Sequence, residues 1–477
     1  MAYTDFIAAI DLGSSHMVGM VGTKGLSGTL SIIAYEVEKS DTCIRRGCVY
    51  SIKETASKIK RLILKLENKL GGARISKVYI GVGGQSLRSI DHVVSKVLDN
   101  GVVTEETLQE LAKKCNLYRP DMLDVLKVVS PVYFLDNKQE DNPVGLSCSR
   151  LEARYKLIVG RPSLRHAVTM NMADQINVKV ADVIVSPLAL ANLVLTDREK
   201  EQGCALVDFG GGVTSVCVFK NKHLVNLSVI PLGSDLITND LMMLDMPEME
   251  AERVKSTYGN ALWEKDSDQE SVSIDLADGQ HTKEIKRSEI NLVIEARVRE
   301  IIENVYARLA DAGVTKNLGS GMIIAGNGAA LRNLREALID RCKMDVRYAS
   351  VRRDCIEAGE MIANNPEFTT AAALLLEGSE NCAQPVPVEV KIETKVEPKI
   401  EVFEDTIYNP TLEEIRGEEK KEQPAEEKPR EPEIKVEKEK PVTPPKPKKP
   451  KGPGLFGQLK KKIDNFGGEL FSEDDNR

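Results

Sequence analysis

The chain has 477 residues, 42% of them hydrophobic, and a formal net charge of −8. That acidic balance speaks against general nucleic-acid binding, and no apolar run is long enough to cross a bilayer. Nine cysteines without Cys-x-x-Cys spacing or clustered histidines suggest neither a metal site nor a disulfide framework. With no signal peptide visible, a reducing cytosol is expected.

Strands and helices alternate along the body. Phe6–Ile10 and Met17–Val21 read as strands around Asp11-Leu12-Gly13-Ser14-Ser15-His16. Ile52–Leu70 reads as a helix, because Ile52, Ala56, Ile59, Ile63, Leu66 and Leu70 recur every three or four residues. Val78–Val82 is a strand ending in Gly83-Gly84. Residues 85–161 read as a separate mixed insert, with strands near Val93–Leu98, Val125–Phe134 and Tyr155–Val159. Leu164–Asp174 is a predicted helix. The apolar run Val180–Val185 leads into Ser186-Pro187 and a small, apolar helix over Leu188–Leu195.

A second half then opens with the pattern of the first. Leu206-Val207-Asp208-Phe209-Gly210-Gly211-Gly212 repeats Ala9-Ile10-Asp11-Leu12-Gly13-Ser14-Ser15, and an apolar run returns at Val216–Phe219. This half has its own insert, about 241–309. There Val272–Asp275 and Thr282–Lys286 flank Asp278-Gly279, a hairpin signal, and Val293–Leu309 is a long amphipathic helix. Strand Met322–Ala325, the turn Gly326-Asn327-Gly328 and a helix from about Ala330 to Cys342 close the body.

Each Asp-x-Gly segment reads as a hairpin whose turn exposes backbone N–H groups beside a carboxylate. Such amides bind anions, and the carboxylate can hold a hydrated Mg²⁺. One copy would be an ordinary hairpin; two in matching strand context, facing each other, would grip a nucleoside triphosphate. The glycine turn at Gly326–Gly328 allows close backbone approach to a flat ligand.

The order of these motifs resembles the actin-like ATPase superfamily, which includes actin, DnaK-type chaperones and hexokinases. Asn142-Pro143-Val144-Gly145-Leu146-Ser147, Ala251–Gly259 (Ala-Glu-Arg-Val-Lys-Ser-Thr-Tyr-Gly) and Val293-Ile294-Glu295-Ala296-Arg297 resemble the bacterial cell-division family FtsA in particular. The fold implied is α/β: an actin-like two-domain nucleotide-binding fold with a 1C-type insert, then a disordered linker and a C-terminal amphipathic helix. The resemblance divides the chain into subdomain 1A (1–84 and 162–200), 1C (85–161, SHS2-like), 2A (201–240 and 310–377) and 2B (241–309). A linker (378–452) and a membrane-targeting helix (453–471) follow.

By the same resemblance the ligands are ATP and Mg²⁺. Asp11 and Asp208 would hold the metal through water. Phosphates would meet Gly13, Ser14, Ser15 and His16 in one turn, and Gly210, Gly211, Gly212 and Thr214 in the other. Glu252 and Lys255 would meet the ribose or adenine beside Gly326, Asn327, Gly328 and Ala329. The chain departs from the family pattern at His16, at Val213 and Ser215, and at Asn327. The helix after Val185 offers Ser186 and Pro187 and then small, apolar residues, where good hydrolases carry a Glu or Gln to orient water. Slow or undetectable ATP turnover is therefore expected.

From Ser379 to Lys451 the composition shifts. Twelve of the 21 prolines lie between Pro385 and Pro450, amid Glu and Lys, so a disordered linker is expected. Beyond it, Leu455, Phe456, Leu459, Ile463, Phe466 and Leu470 fall within one arc of about 100° on a helix. Lys460 and Lys462 flank the arc, and Lys446, Lys448, Lys449 and Lys451 precede it. Such a helix cannot span a membrane but can lie on an anionic one; docking on a protein surface is the alternative.

With these features, the resemblance implies an ATP-binding adaptor that self-associates and tethers filaments of the tubulin-like protein FtsZ to the cytoplasmic face of the cell membrane at the division site, as a peripheral protein. In the family, FtsZ binds 2B through its C-terminal peptide. Arg297 and Arg299 are candidate contacts for it, or simply a solvated helix face. A small-molecule kinase and a chaperone-type ATPase of the same superfamily are the alternatives. The kinase lacks a convincing Asp base here, and the chaperone lacks a folded domain after residue 377.

Overall fold

The computed structural model describes residues 5–98, 101–263, 270–276, 278, 280–357 and 365–385 (the backbone only over 170–174). The first half opens with a hairpin, β1 (Ile7–Leu12) and β2 (His16–Lys24), and continues through β3 (Leu30–Lys39). A short hairpin of β4 (Ile44–Arg45) and β5 (Cys48–Val49) precedes α1 (Ile52–Lys69) and β6 (Lys77–Val82). The insert contributes β7 (Arg88–Val97), α2 (Glu105–Leu117), β8 (Asp124–Leu135), β9 (Lys138–Glu140) and β10 (Arg150–Gly160). Helix α3 (Ser163–His166), a π-helical stretch (Ala167–Met172), α4 (Ala173–Ile176), β11 (Lys179–Val185), α5 (Ser186–Val194) and α6 (Asp197–Gln202) complete this half.

The second half contains β12 (Cys204–Phe209), β13 (Thr214–Lys220), β14 (His223–Ile230), α7 (Asp235–Met242) and α8 (Glu248–Tyr258). The hairpin β15 (Ser271–Asp275) and β16 (Thr282–Lys286) leads into α9 (Arg287–Asp311). Then come β17 (Met322–Ala325), a 3₁₀ turn (Asn327–Ala330), α10 (Leu334–Cys342), β18 (Val346–Tyr348) and, after a second 3₁₀ turn (Pro366–Phe368), α11 (Thr369–Glu377).

The sheets reveal the internal repeat. The first is ordered β11-β6-β1-β2-β3, and the second contains β18-β17-β12-β13-β14, the same topology strand for strand. In each, an antiparallel hairpin carries the Asp at the same register: Asp11 faces Val18 and Asp208 faces Ser215, one pair before the turn closes. A parallel strand flanks each Asp, with Asp11 beside Gly81 and Asp208 beside Ala325. Helices α5 and α11 carry the small residues Ala189, Ala191 and Ala371 to Ala373, all 1% exposed or less. Small side chains let these helices pack closely beside strands of the body.

Helix α1 runs as its periodicity predicts: Ala56, Ile59, Leu62, Ile63 and Leu66 are buried on one face. The predicted strands also form, several longer at their ends. Four features differ from expectation. The insert has its own core, around Leu111, Leu151, Ala153 and Leu157, but its strands are not a separate sheet. They extend the second sheet, β14 to β7, through the single pair Ser228 and Arg88, latched where Ser89 Oγ accepts the Leu227 N–H at 2.9 Å. Helix α2, capped by Thr104 at the Thr107 N–H, has no counterpart in the sequence reading.

The expected helix from Ala330 starts only at Leu334, after the 3₁₀ turn, because Asn333 takes a left-handed conformation (φ 58°). The linker also begins later than Gly378. Cys382, fully buried, donates its N–H to the Phe6 carbonyl at 2.7 Å, and Ala383 bridges Ile75 antiparallel. Tyr79 Oη accepts the N–H groups of Ser379 and Glu380. Composition alone missed this strap because its hold is largely backbone hydrogen bonding, which polar residues make as well as apolar ones. The rest of the expected linker, and Leu455, Phe456, Leu459, Lys460, Lys462, Ile463, Phe466 and Leu470, lie outside the described residues.

Candidate functional site

The two Asp-x-Gly turns meet. Gly211 sits against Ser15 Oγ and Gly212 against Ser14 Oγ, so closely that a Cβ at either glycine would overlap the serine. Each turn is separately braced. In the first, Ser40 Oγ donates to the Gly13 carbonyl at 2.7 Å, and the Ser40 N–H to the Ser15 carbonyl at 2.9 Å. In the second, the Gly210 N–H donates to the Val213 carbonyl at 3.0 Å. The N–H groups of Ser234 and Asp235 donate to the carbonyls of Gly210 and Gly211. Across the junction, Ser15 Oγ donates to Asp235 Oδ1 at 2.8 Å.

Asp11 and Asp208 stand behind these turns. Burial, with the Asp208 charge second, pushes the Asp11 carboxyl up to about 7; the Ser186 hydroxyl, donating at 3.2 Å, opposes the shift. Burial pushes Asp208 up to about 6. The two carboxylates therefore feel each other in a desolvated crevice, a pairing that a divalent cation would reverse. The donor set fits such an ion held through water. Two protein carboxylates cannot fill a six-oxygen shell, and among the described residues no group of three or more metal-binding side chains converges.

The glycine turn Gly326–Gly328 lies against the same crevice. Gly326 has φ 83°, and a Cβ there would overlap Asp208 Oδ1, so glycine alone fits. Gly328 packs on the Phe209 carbonyl and Ser234, and Ala329 is buried. Asn327 opens the 3₁₀ turn. On α8, Lys255 Nζ meets Glu252 Oε2 at 2.7 Å and Thr238 Oγ1 at 2.8 Å, and Thr238 donates to Glu252 at 2.6 Å. Asp235, raised by burial, is partly restored by Ser15 and then by the Lys255 charge. His16 Nδ1 lies 3.9 Å from Glu367 Oε1 at the edge of the first turn.

Two predicted residues are placed less favourably. Thr214 is fully buried, its hydroxyl donated to the Leu232 carbonyl at 2.8 Å, so it faces away from the mouth. Arg297 is held by Asp240 in a two-pronged pair (2.6 and 3.0 Å) and also meets Glu300. Arg299 is exposed and pairs with Glu295 one turn earlier. Asn192, the polar residue that an apolar description of α5 passes over, bonds Glu377 and Lys200. Sequence reasoning missed Asp235, Ser40 and Thr238. The signal for Asp235 was present: Gly233-Ser234-Asp235 before an apolar run is a helix-start pattern.

A family model described as "Cell division protein FtsA" matches residues 205–373, and one described as "SHS2 domain inserted in FTSA" matches residues 84–159. The "Cell division protein FtsA" of Porphyromonas gingivalis is 31% identical over 474 residues, covering 98% of both chains. That of Pseudomonas aeruginosa is 27% identical, covering 80% of this chain and 92% of its own. Among solved structures, the "PilM-PilN type IV pilus biogenesis complex" aligns with a TM-score of 0.55 at 15% identity, over 78% of this chain and 98% of that one, a likeness of fold alone. With an FtsA family match over the second half, an SHS2 insert and a relative above 30% identity covered to 98%, the chain belongs to the FtsA family of cell division proteins.

Proposed function

We propose that the protein is an ATP-dependent membrane adaptor of cell division. It binds Mg²⁺·ATP between its two halves, associates with copies of itself, and holds FtsZ filaments at the inner face of the membrane. The observation that carries the nucleotide reading is the pair of register-matched Asp-x-Gly hairpins in contact, with two carboxylates raised by burial behind them.

Bound Mg²⁺ would supply the positive charge that offsets the phosphates and both carboxylates. Asp11 and Asp208 would hold it through water, and Ser186 fixes the Asp11 carboxyl. The amides of Gly13–Ser15, Gly211 and Gly212 are the donors proposed for the phosphates, the Gly210 N–H being taken by the Val213 carbonyl. Glu252 and Lys255, already tied to Thr238, border the sugar and base side with Gly326–Ala329. The polar residues of α5 are committed elsewhere, Ser186 to Asp11 and Asn192 to Glu377. That supports turnover slower than about one ATP per second. The proposed subdomains 1A, 1C, 2A and 2B keep the boundaries expected from the resemblance, with residues 378–385 joined to the body.

The tail helix (453–471) is read as the anchor from its sequence. One such helix binds weakly, and a row of them on an associated filament binds firmly. Equilibrium dialysis of ATP with Mg²⁺, with EDTA, and with Asp208→Asn tests the nucleotide reading. Binding is expected to fall at least about tenfold, or ~1.4 kcal/mol, in the last two. Equal binding in all three would sink it.

A further inference from the structure

The β4–β5 hairpin belongs to none of the motifs above, yet its tip touches three things at once. Arg46 and Gly47 form a two-residue turn between the pairs Ile44–Val49 and Arg45–Cys48, both in left-handed conformation (φ 50° and 67°). The Gly47 N–H donates to Ser14 Oγ at 2.9 Å, in the first Asp-x-Gly turn. A Cβ on Gly212, in the second turn, would come within 3.1 Å of the Arg46 nitrogen. The Arg46 carbonyl accepts the Gln85 N–H at 3.1 Å, and Gly47 packs on Gly83 and Gly84. Gly83–Gln85 is the root from which the SHS2 insert leaves the body. The Arg45 guanidinium over the Tyr50 ring (3.7 Å) stiffens the hairpin.

We infer that the Arg46–Gly47 tip is a relay that reports phosphate occupancy of the cleft to the SHS2 insert. The inference rests on the cleft being a nucleotide site. A serine hydroxyl has one donor and two acceptor positions. Ser14 can therefore accept from Gly47 while donating to a phosphate oxygen. That builds a chain from phosphate through Ser14 and Gly47 into the hairpin, with the Arg46–Gln85 bond as its exit to the insert. Phosphates entering between the turns must also part Ser14 from Gly212, which rest against each other. The hairpin tip, bonded to one and packed on the other, moves with that parting. Bonded chains and rigid hairpins of this kind carry coupling between sites.

Hydrogen exchange on the full-length protein, with and without Mg²⁺·ATP, tests it. The relay predicts that ATP slows exchange in the two turns (residues 11–16 and 208–214), in residues 44–49 and in Ser86–Val97, by about tenfold at the last. Slowing in the turns alone would overturn the relay and leave the nucleotide site standing. No slowing anywhere would overturn both. Gln85→Pro, which removes the N–H reaching the Arg46 carbonyl and also fixes φ at residue 85, provides the second arm. With an unchanged melting temperature it should bind ATP as wild type does, while Ser86–Val97 no longer respond. A response equal to wild type would show that another route carries the signal and would overturn the relay.

Discussion

Replacing Asp11 by Asn should stabilise the ligand-free protein and abolish its response to nucleotide. In the fold the Asp11 carboxyl titrates near 7, against 3.8 in the ordinary case, because burial and then Asp208 disfavour its charge. A carboxyl raised in the folded state binds its proton more tightly there. Stability is therefore highest when the group is protonated and falls as pH rises from about 4 to about 7, levelling above that. Three units correspond to ~4 kcal/mol at 1.36 kcal/mol per unit. Asp11 is only partly buried by accessible surface, which reduces this to on the order of 2 kcal/mol. Asn keeps the carbonyl that accepts from Ser186 and carries no charge.

At pH 8 in EDTA the variant should melt a few degrees above wild type, with the gap narrowing toward pH 5. Mg²⁺·ATP at about one hundred times its Kd should then raise wild type by ~2.7 kcal/mol and leave the variant where it was, reversing their order. A variant that melts at or below wild type at pH 8 without ligand would refute the electrostatic argument. One that still gains from Mg²⁺·ATP would refute the assignment of Asp11.

Three further outcomes follow from the packing. Gly326→Ala must place a Cβ on Asp208 at φ 83° and should cost more than ~1 kcal/mol, read as a lower melting temperature and weaker ATP binding. Arg297→Ala breaks the pair with Asp240 and should lower stability by about 1–2 kcal/mol, while Arg299→Ala should change it by less than ~0.5 kcal/mol. If Arg297→Ala weakens FtsZ peptide binding with its melt unchanged, Arg297 is a partner contact and not a brace. Cys382→Asp buries a charge in the strap beside Phe6 and should cost several kcal/mol; a melt equal to wild type would show that residues 378–385 do not hold to the body.

Much of the fold was legible because its elements are local. The hairpins around Asp11 and Asp208, helix α1 and the strand at Met322 each announce themselves by apolar runs and glycine turns within a dozen residues. The repeat then implied the two halves. What stayed hidden was non-local. The bridge from Ser228 to Arg88 pairs strands far apart in sequence, and the strap at Cys382 is held by backbone groups that composition does not register. Helix α2 has only a narrow apolar stripe, with Thr107, Leu111 and Cys115 buried. At the site, the glycines and carboxylates were readable from spacing. That Thr214 turns inward and that Arg297 is already taken by Asp240 depend on which neighbour tertiary packing brings near.

The most direct test is co-pelleting of FtsZ with anionic liposomes in the presence of this protein and ATP, comparing wild type with Phe466→Glu. The account predicts that wild type carries FtsZ into the pellet and that the variant leaves it in solution. Wild type that pellets without FtsZ would contradict the partner. Failure of both to pellet would contradict the membrane anchor.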